Sequence, residues 1–269
     1  MTTLFVLGSG SRGNCCAVES EGAVLLVDAG FSAREIERRA GLAGLALDRV
    51  AGIALTHEHG DHARGASGLA RRFGVPILTA PGTWERLAPV LGGASHRTIG
   101  LRASAEIGPF SVRACGTSHD AAEPVAITIR AGDGTSVGVA YDLGRPTAAV
   151  RYLLRELTAL VIEANHDEVR LRTSGYPPVV QRRIAGSGGH LSNRAAAELL
   201  EELYHPALGV VVLAHLSERC NNAEDARRAV APVLHRAGFA GTLHVAAQDQ
   251  PLPPLMVRAP RRMQLGLAL

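Results

Sequence analysis

The sequence predicts an α/β fold in which two sheets pack together and helices cover their outer faces. Three observations predict it. Short apolar runs separated by turn residues open the chain, apolar runs then alternate with stretches of helical spacing, and the second half repeats that plan. At 269 residues, with 46% hydrophobic and 20% charged residues, the chain is globular and can bury a large core. No boundary is visible within it, so one domain over residues 1–269 is expected. No apolar run approaches the length that spans a bilayer, and no basic region precedes the first short one. These features point to a first strand rather than a signal peptide, to no membrane contact, and to the cytoplasm.

Leu4 to Leu7, Cys16 to Glu19 and Val24 to Val27 read as three strands, the first two separated by the loop Gly8-Ser-Gly-Ser-Arg-Gly-Asn14. Ser32-x-x-Glu35 is a capping box for the helix that carries Ile36. Ile53 to Leu55 reads as a buried strand, and Ala66, Leu69, Ala70 and Phe73 place a helix from about His62 to Phe73. Pro76 to Ala80 is a strand and Pro81 to Val90 a helix, while Gly92 to Ala105 gives no clear pattern. Strands follow near Ser111 to Cys115, Val125 to Arg130 and Val137 to Tyr141, the last two joined by the turn Gly132-Asp-Gly134. Val150, Leu153, Leu154 and Leu157 mark one helical face, and Leu160 to Glu163 is a buried strand. Asn165 to Gly189 reads as irregular. Ser192 then caps a helix carrying Ala196, Leu199, Leu200 and Leu203, and Gly209 to Ala214 is a strand. Asn222 caps a further helix, Thr242 to Ala246 is the final strand, and the proline-rich tail from Pro251, with Arg261-Arg262, reads as an extended strap or a frayed end.

Chemistry concentrates in Gly52-Ile-Ala-Leu-Thr-His-Glu-His-Gly-Asp-His62. Residues two apart in an extended chain share a face, so His57 and His59 converge on one cation. Gly60 permits a turn, after which Asp61 and His62 stand at a helix mouth and face a second cation. A solvated histidine-rich loop is the competing reading, and it has no use for further ligand types at other strand ends. His119, Asp142 and His215 each follow or close an apolar strand. Seven ligands then divide into His57, His59 and His119 on one ion, and Asp61, His62 and His215 on the other, with Asp142 bridging. Two carboxylates and five neutral imidazoles leave a pair of divalent ions net positive, which favours hydroxide and an anionic substrate. Imidazole with carboxylate suits zinc, manganese or iron, zinc or manganese before the third.

Cys15, Cys16, Cys115 and Cys220 form no C-x-x-C pair and read as buried reduced thiols. Net charge is only +3, yet all 28 basic residues are arginine. Guanidinium suits bidentate phosphate contacts, although high-GC codon usage produces the same bias.

The motif H-x-H-x-D-H followed by separate His, Asp and His resembles the metallo-β-lactamase fold, an αββα four-layer sandwich. Gly8 to Asn14, Glu163-Ala-Asn-His-Asp167, Tyr176-Pro-Pro178, Gly189-His-Leu-Ser-Asn193 and Leu213 to Asn221 resemble its YycJ/WalJ branch of 5′-to-3′ DNA exonucleases. The resemblance implies phosphodiester hydrolysis. Cysteine does not stand at Asp142, nor glutamate at His59, which sets the chain apart from true lactamases and di-iron flavoprotein reductases of this fold. The stretch between Asp142 and His190 is too short for a β-CASP insert.

That likeness implies in-line attack by metal-bridging hydroxide, with Asp61 in the catalytic set and His190 protonating the leaving oxygen; a histidine that merely packs the loop is the alternative for His190. Ser192 and Asn193 at a helix N-terminus, and Ser9, Ser11 and Asn14 in the glycine-rich loop, are expected to hold phosphate, with plain capping and turn formation as the alternatives. Arg170, Arg172, Arg182, Arg183 and Tyr176 are expected to line the approach of a DNA strand. Asn165, His166 and Asp167 are expected to support the ligands from behind, and Asp28 to brace the metal loop. DNA is the expected partner, with RNA or a small cyclic or linear phosphodiester as other substrates. A non-catalytic nucleic-acid-binding regulator is the reading from a different class.

Overall fold

A computed structural model describes residues 1–100 and 102–260. The first half runs β1 (Thr2–Gly8), β2 (Cys15–Ser20), β3 (Ala23–Val27), α1 (Ala33–Leu42), β4 (Val50–Ala54), α2 (Gly60–Ala63), α3 (Ala66–Phe73), β5 (Ile77–Thr79), α4 (Pro81–Leu87) and β6 (His96–Thr98). The second runs β7 (Ala105–Ile107), β8 (Phe110–Gly116), β9 (Val125–Ala131), β10 (Ser136–Ala140), α5 (Ala148–Leu153), β11 (Ala159–Glu163), α6 (Glu168–Arg172), α7 (Pro178–Ala185), α8 (Asn193–Leu203), β12 (Val210–Ala214), α9 (Ala223–Arg236) and β13 (Thr242–Val245), and β14 (Leu255–Val257) closes the described chain.

Two seven-stranded sheets result, in the orders β14-β1-β2-β3-β4-β5-β6 and β13-β12-β11-β10-β9-β8-β7. Each begins as an antiparallel meander and continues as parallel strands joined by helices: β3 pairs with β4 in parallel, and so does β10 with β11. The strands are apolar on both faces because both faces are covered. Along β1, Leu4 and Val6 enter the core between the sheets while Phe5 and Leu7 join α1 and α3 outside. Along β12, Val210, Val212 and Ala214 point between the sheets, and Val211 and Leu213 point to α5, α8 and α9. The layers are therefore helix, sheet, sheet, helix, as expected. All four cysteines are free and buried. No helix among the described residues is long and apolar enough to cross a membrane.

Several stretches differ from the sequence reading. The helix expected from His62 to Phe73 breaks into α2 and α3 at Gly65, whose N–H bonds the Ala29 carbonyl at 2.7 Å and whose absent Cβ would meet the Phe31 carbonyl at 2.4 Å. Contact with the β3 end outweighs helix continuity there. The patternless stretch before Ala105 holds the edge strand β6, too short to show periodicity. The segment from Asn165 to Gly189 holds α6 and α7; Asp167 caps α6 by accepting from the Val169 and Arg170 amides, and Pro178 opens α7. α7 buries none of its residues, so it carries no apolar stripe to read. The tail from Pro251 contributes β14, antiparallel to β1; Arg261 and Arg262 lie outside the described residues.

Candidate metal centre

The parallel strands β3, β4, β10, β11 and β12 all stop at one edge, and the polar residues that follow them converge there. Asp28 and His215 sit one residue past a strand and Asp142 two, with φ of 57°, 53° and 47°. Left-handed backbone costs a non-glycine residue on the order of 1 kcal/mol, and it turns each side chain back into the crevice. Hydrogen bonds hold these bends: Asp28 N–H donates to Ala54 O, and the Asn165 side-chain amide donates to His215 O at 2.9 Å.

His57 and His59 lie in the loop after β4, while Asp61 and His62 belong to α2 itself. His57 Nε2 is 3.0 Å from His59 Nδ1, which is 3.4 Å from His119 Nε2. On the other side, Asp61 Oδ2 is 3.4 Å from His62 Nε2 and 3.5 Å from His215 Nε2. Asp142 Oδ2 stands between the groups, 3.0 Å from His62 Nε2 and 3.6 Å from His57 Nε2. Two atoms each bound to one tetrahedral zinc would be about 3.3 Å apart, so both groups could hold a divalent ion. His215 Nε2 is buried with no hydrogen-bond partner, as an atom that serves a cation would be.

Behind the groups, partners fix each ring. His62 Nδ1 donates to Asp28 Oδ2 at 2.7 Å, His215 Nδ1 to Glu163 Oε1 at 3.1 Å, and His119 Nδ1 to the Gly189 carbonyl at 3.2 Å. Thr56 Oγ1 donates to Asp28 and lies 3.1 Å from His57 Nδ1, whose proton it accepts. With Nδ1 protonated, each Nε2 lone pair faces the crevice. The sequence reading gives no role to Thr56 or to Glu163, although Glu163 opens the Glu163-Ala-Asn-His-Asp167 motif and a charged residue ending an apolar strand was a signal for it. Glu163 is wholly buried and accepts from the Leu143 and Leu191 amides, from His190 at 2.7 Å and from His215.

Burial raises the Glu163 carboxyl, but the His190 charge and hydrogen bonds from His190 and His215 outweigh it and leave its pKa at about 2. Burial lowers His190, and Glu163 and Asp142 more than reverse this, to about 10. Asp61 and Asp142 are likewise held below the usual carboxylate range: burial raises both, hydrogen bonds from His215 and His62 reverse it at Asp61, and the His215 charge with the His190 hydrogen bond does so at Asp142. Burial and the neighbouring His62 keep His57 low. His62 and His215, lowered by burial, are raised more by Asp28 and Asp142, His215 to about 9. A cation supplies the charge those protons otherwise bring.

A cleft of about 300 Å³ opens onto this centre, and Ser11, His59, Asp61, Arg183 and His190 line it. Arg183 is exposed and pairs with Asp120 at 2.6 Å. Ser9 and Asn14 are not on its wall. Ser9 Oγ donates to Asn14 Oδ1 at 2.7 Å and accepts from the His215 amide, and the buried Asn14 amide donates to Gly10 O and lies 3.2 Å from His62 Nε2, so both build the loop behind the centre. Asn193 is locked to Asn221 in a reciprocal amide pair, Arg170 pairs with Asp225, and Tyr176 lies under Arg219, 4.5 Å from ring centroid to guanidinium carbon. Arg172, Arg182, Ser192 and His166 line a separate cleft.

The family model of the metallo-beta-lactamase superfamily matches residues 8–138. The chain is 33% identical over 237 residues to exodeoxyribonuclease YycJ of Bacillus anthracis, covering 87% of this chain and 89% of that protein. It is 29% identical over 237 residues to exodeoxyribonuclease WalJ of Streptococcus pneumoniae, covering 86% and 88%. Among solved structures, the metallo-beta-lactamase fold protein YhfI from Bacillus subtilis superposes with a TM-score of 0.68 at 18% identity over 93% of this chain and 98% of that one. The short form of human tRNase Z superposes at 0.64 with 18% identity, over 94% and 98%.

Proposed function

Because the chain belongs to the metallo-β-lactamase superfamily, in the branch that holds YycJ and WalJ, we propose that it hydrolyses phosphodiester bonds of DNA, removing nucleotides from a 5′ end. The observation that carries the reading is the pair of ligand groups, each with spacing that suits a divalent ion, on either side of Asp142. We assign His57, His59 and His119 to one ion and Asp61, His62 and His215 to the other, with Asp142 shared, and zinc or manganese as the ions. Bound there, such ions would supply positive charge to the phosphoryl oxygens and a water of lowered pKa.

The chain's own groups do the rest. Thr56, Asp28, Glu163 and the Gly189 carbonyl hold the four Nε2 atoms in place, so little reorganisation is needed when the ions and substrate bind. His190 is pinned through Nδ1 to Glu163, whose carboxylate favours the protonated ring, and it lines the cleft, where it protonates the leaving oxygen. Ser11 and Arg183 offer hydroxyl and guanidinium groups to the strand, Arg183 by exchanging Asp120 for a phosphate. The two sheets share one core and the ligands come from both, which supports one domain; buried reduced thiols and a DNA substrate suit the cytoplasm.

The test is incubation of metal-loaded protein with duplex DNA, single-stranded DNA and RNA labelled at either end, beside bis-p-nitrophenyl phosphate, with an Asp61→Ala control. Mononucleotides released progressively from the 5′ DNA end, and absent in the control, are the expected result. Turnover of the small diester alone would replace DNA with a small phosphodiester as substrate.

A further inference from the structure

A second cleft, of about 630 Å³, lies on the far side of α7 from the metal cleft, and His190 lines both. α7 is the partition: Val180, Arg183 and Ile184 line the metal side, and Gln181, Arg182 and Ala185 the other. The catalytic groups assigned above act in the metal cleft, and of them only His190 also borders this space. Its wall carries Arg172 from α6, Arg182 from α7 and Arg194 from α8, against one carboxylate, Glu168. Glu168 pairs with Arg194 at 3.0 Å, and among the described residues Arg172 and Arg182 have no ion-pair partner. Three guanidiniums and one carboxylate leave two positive charges. The N-terminal turn of the eleven-residue α8 borders the same space through Ser192 and Ala195, with Ser192 Oγ accepting from the Ala195 amide and donating to Glu168 at 3.2 Å, so the positive end of its dipole is shared with that carboxylate. His166, only 2% exposed, also lines it, and its buried Nδ1 has no hydrogen-bond partner.

A phosphodiester carries one negative charge, whereas a phosphate monoester carries about 1.5 to 2 at neutral pH. We propose that this cleft binds the terminal 5′-phosphate monoester of a DNA strand whose first diester linkage lies in the metal cleft. The proposal rests on the nuclease reading above and adds an end-recognising subsite to it. Arg172 and Arg182 meet the dianion, and His190 stands at the junction of the two clefts. A strand held by its terminal phosphate presents only its first linkage for hydrolysis, which makes the enzyme an exonuclease that needs a phosphorylated end.

The test compares otherwise identical duplexes with 5′-phosphoryl and 5′-hydroxyl ends, using the full-length metal-loaded chain. The wild type is expected to prefer the phosphoryl end at least tenfold in kcat/KM, mostly through KM. Arg172→Gln with Arg182→Gln is expected to bring that ratio close to one, and Arg172→Lys with Arg182→Lys to keep part of it. The ratio is internal to each variant, so partial loss of folded protein does not alter it. A ratio near one in the wild type, or an unchanged ratio in the glutamine variant, would overturn the subsite while leaving the nuclease reading in place. No release from either end by the wild type would overturn both.

Discussion

Asp28 holds His62 Nδ1 at 2.7 Å and Thr56 at the same time, so one buried carboxylate sets the tautomer of two neighbouring rings. Removing its charge while keeping its shape, as in Asp28→Asn, is expected to weaken metal binding about 10- to 100-fold, read by competition with a chelating dye. His190 is pinned through Nδ1 to Glu163 like the ligand His215, but it lines the cleft outside both groups assigned to the ions. His190→Ala is expected to lower kcat by about 10²- to 10⁴-fold with metal content unchanged, and unchanged turnover would remove its role as proton donor. Protonation works against metal binding at His215, whose pKa without a cation is about 9, so apparent metal affinity is expected to rise with pH up to that value. Calorimetry in buffers of different ionisation enthalpy measures the protons released. The proposed ligands were legible because they are polar residues at apolar strand ends. Thr56 and Glu163 were not, because a threonine after a strand and a glutamate at its last position look ordinary until folding brings a ring to each. Ser9 and Asn14 illustrate the converse: a glycine-rich loop reads as a phosphate cradle, whereas here its polar groups support His215 and its own backbone.

Elements reach the site through close backbone contacts. Gly30, in the bend after β3, has no room for a Cβ, which would stand 1.7 Å from the Asp61 carbonyl oxygen and 2.6 Å from the Asn14 amide. Gly30→Ala therefore moves α2 or unfolds its seat, with an expected cost of at least about 1–3 kcal/mol in urea unfolding and a loss of bound metal. Helix α1 clamps the same region from outside, since Arg39 donates to the Leu7 and Gln248 carbonyls and to Glu35. Hydrogen bonds from Arg38, then Arg39, hold Glu35 at about 2, below its ordinary 4.5. A depressed carboxyl contributes stability that is complete above its ordinary pKa and is lost as pH falls through about 2. Glu35→Gln is expected to lower the urea midpoint at pH 7, and the difference from wild type to shrink at pH 3. The missed helices α6 and α7 were unreadable for a physical reason: amphipathic patterning reports burial, and α7 buries nothing.

At the scale of the whole molecule, two sheets of seven strands repeat one plan, meander first and parallel strands after, and the centre forms where the parallel strands of both halves end. Asp28-Ala-Gly30 and Asp142-Leu-Gly144 are the matching bends of that plan, both with left-handed aspartates, and their likeness was visible in the sequence. Strand order, and the second cleft behind α7, depend on long-range pairing and were not. Since ligands from both sheets meet at the centre, stripping metal with a chelator is expected to lower the unfolding temperature as well as activity, and added ions to restore both. The most direct test of a two-ion phosphodiesterase is titration of metal-free protein with manganese or zinc while nucleotides released from 5′-end DNA are counted. Activity is expected to be absent without metal and to saturate at two ions per chain. Full activity in the metal-free protein, or two bound ions with no hydrolysis of any phosphodiester, would contradict it.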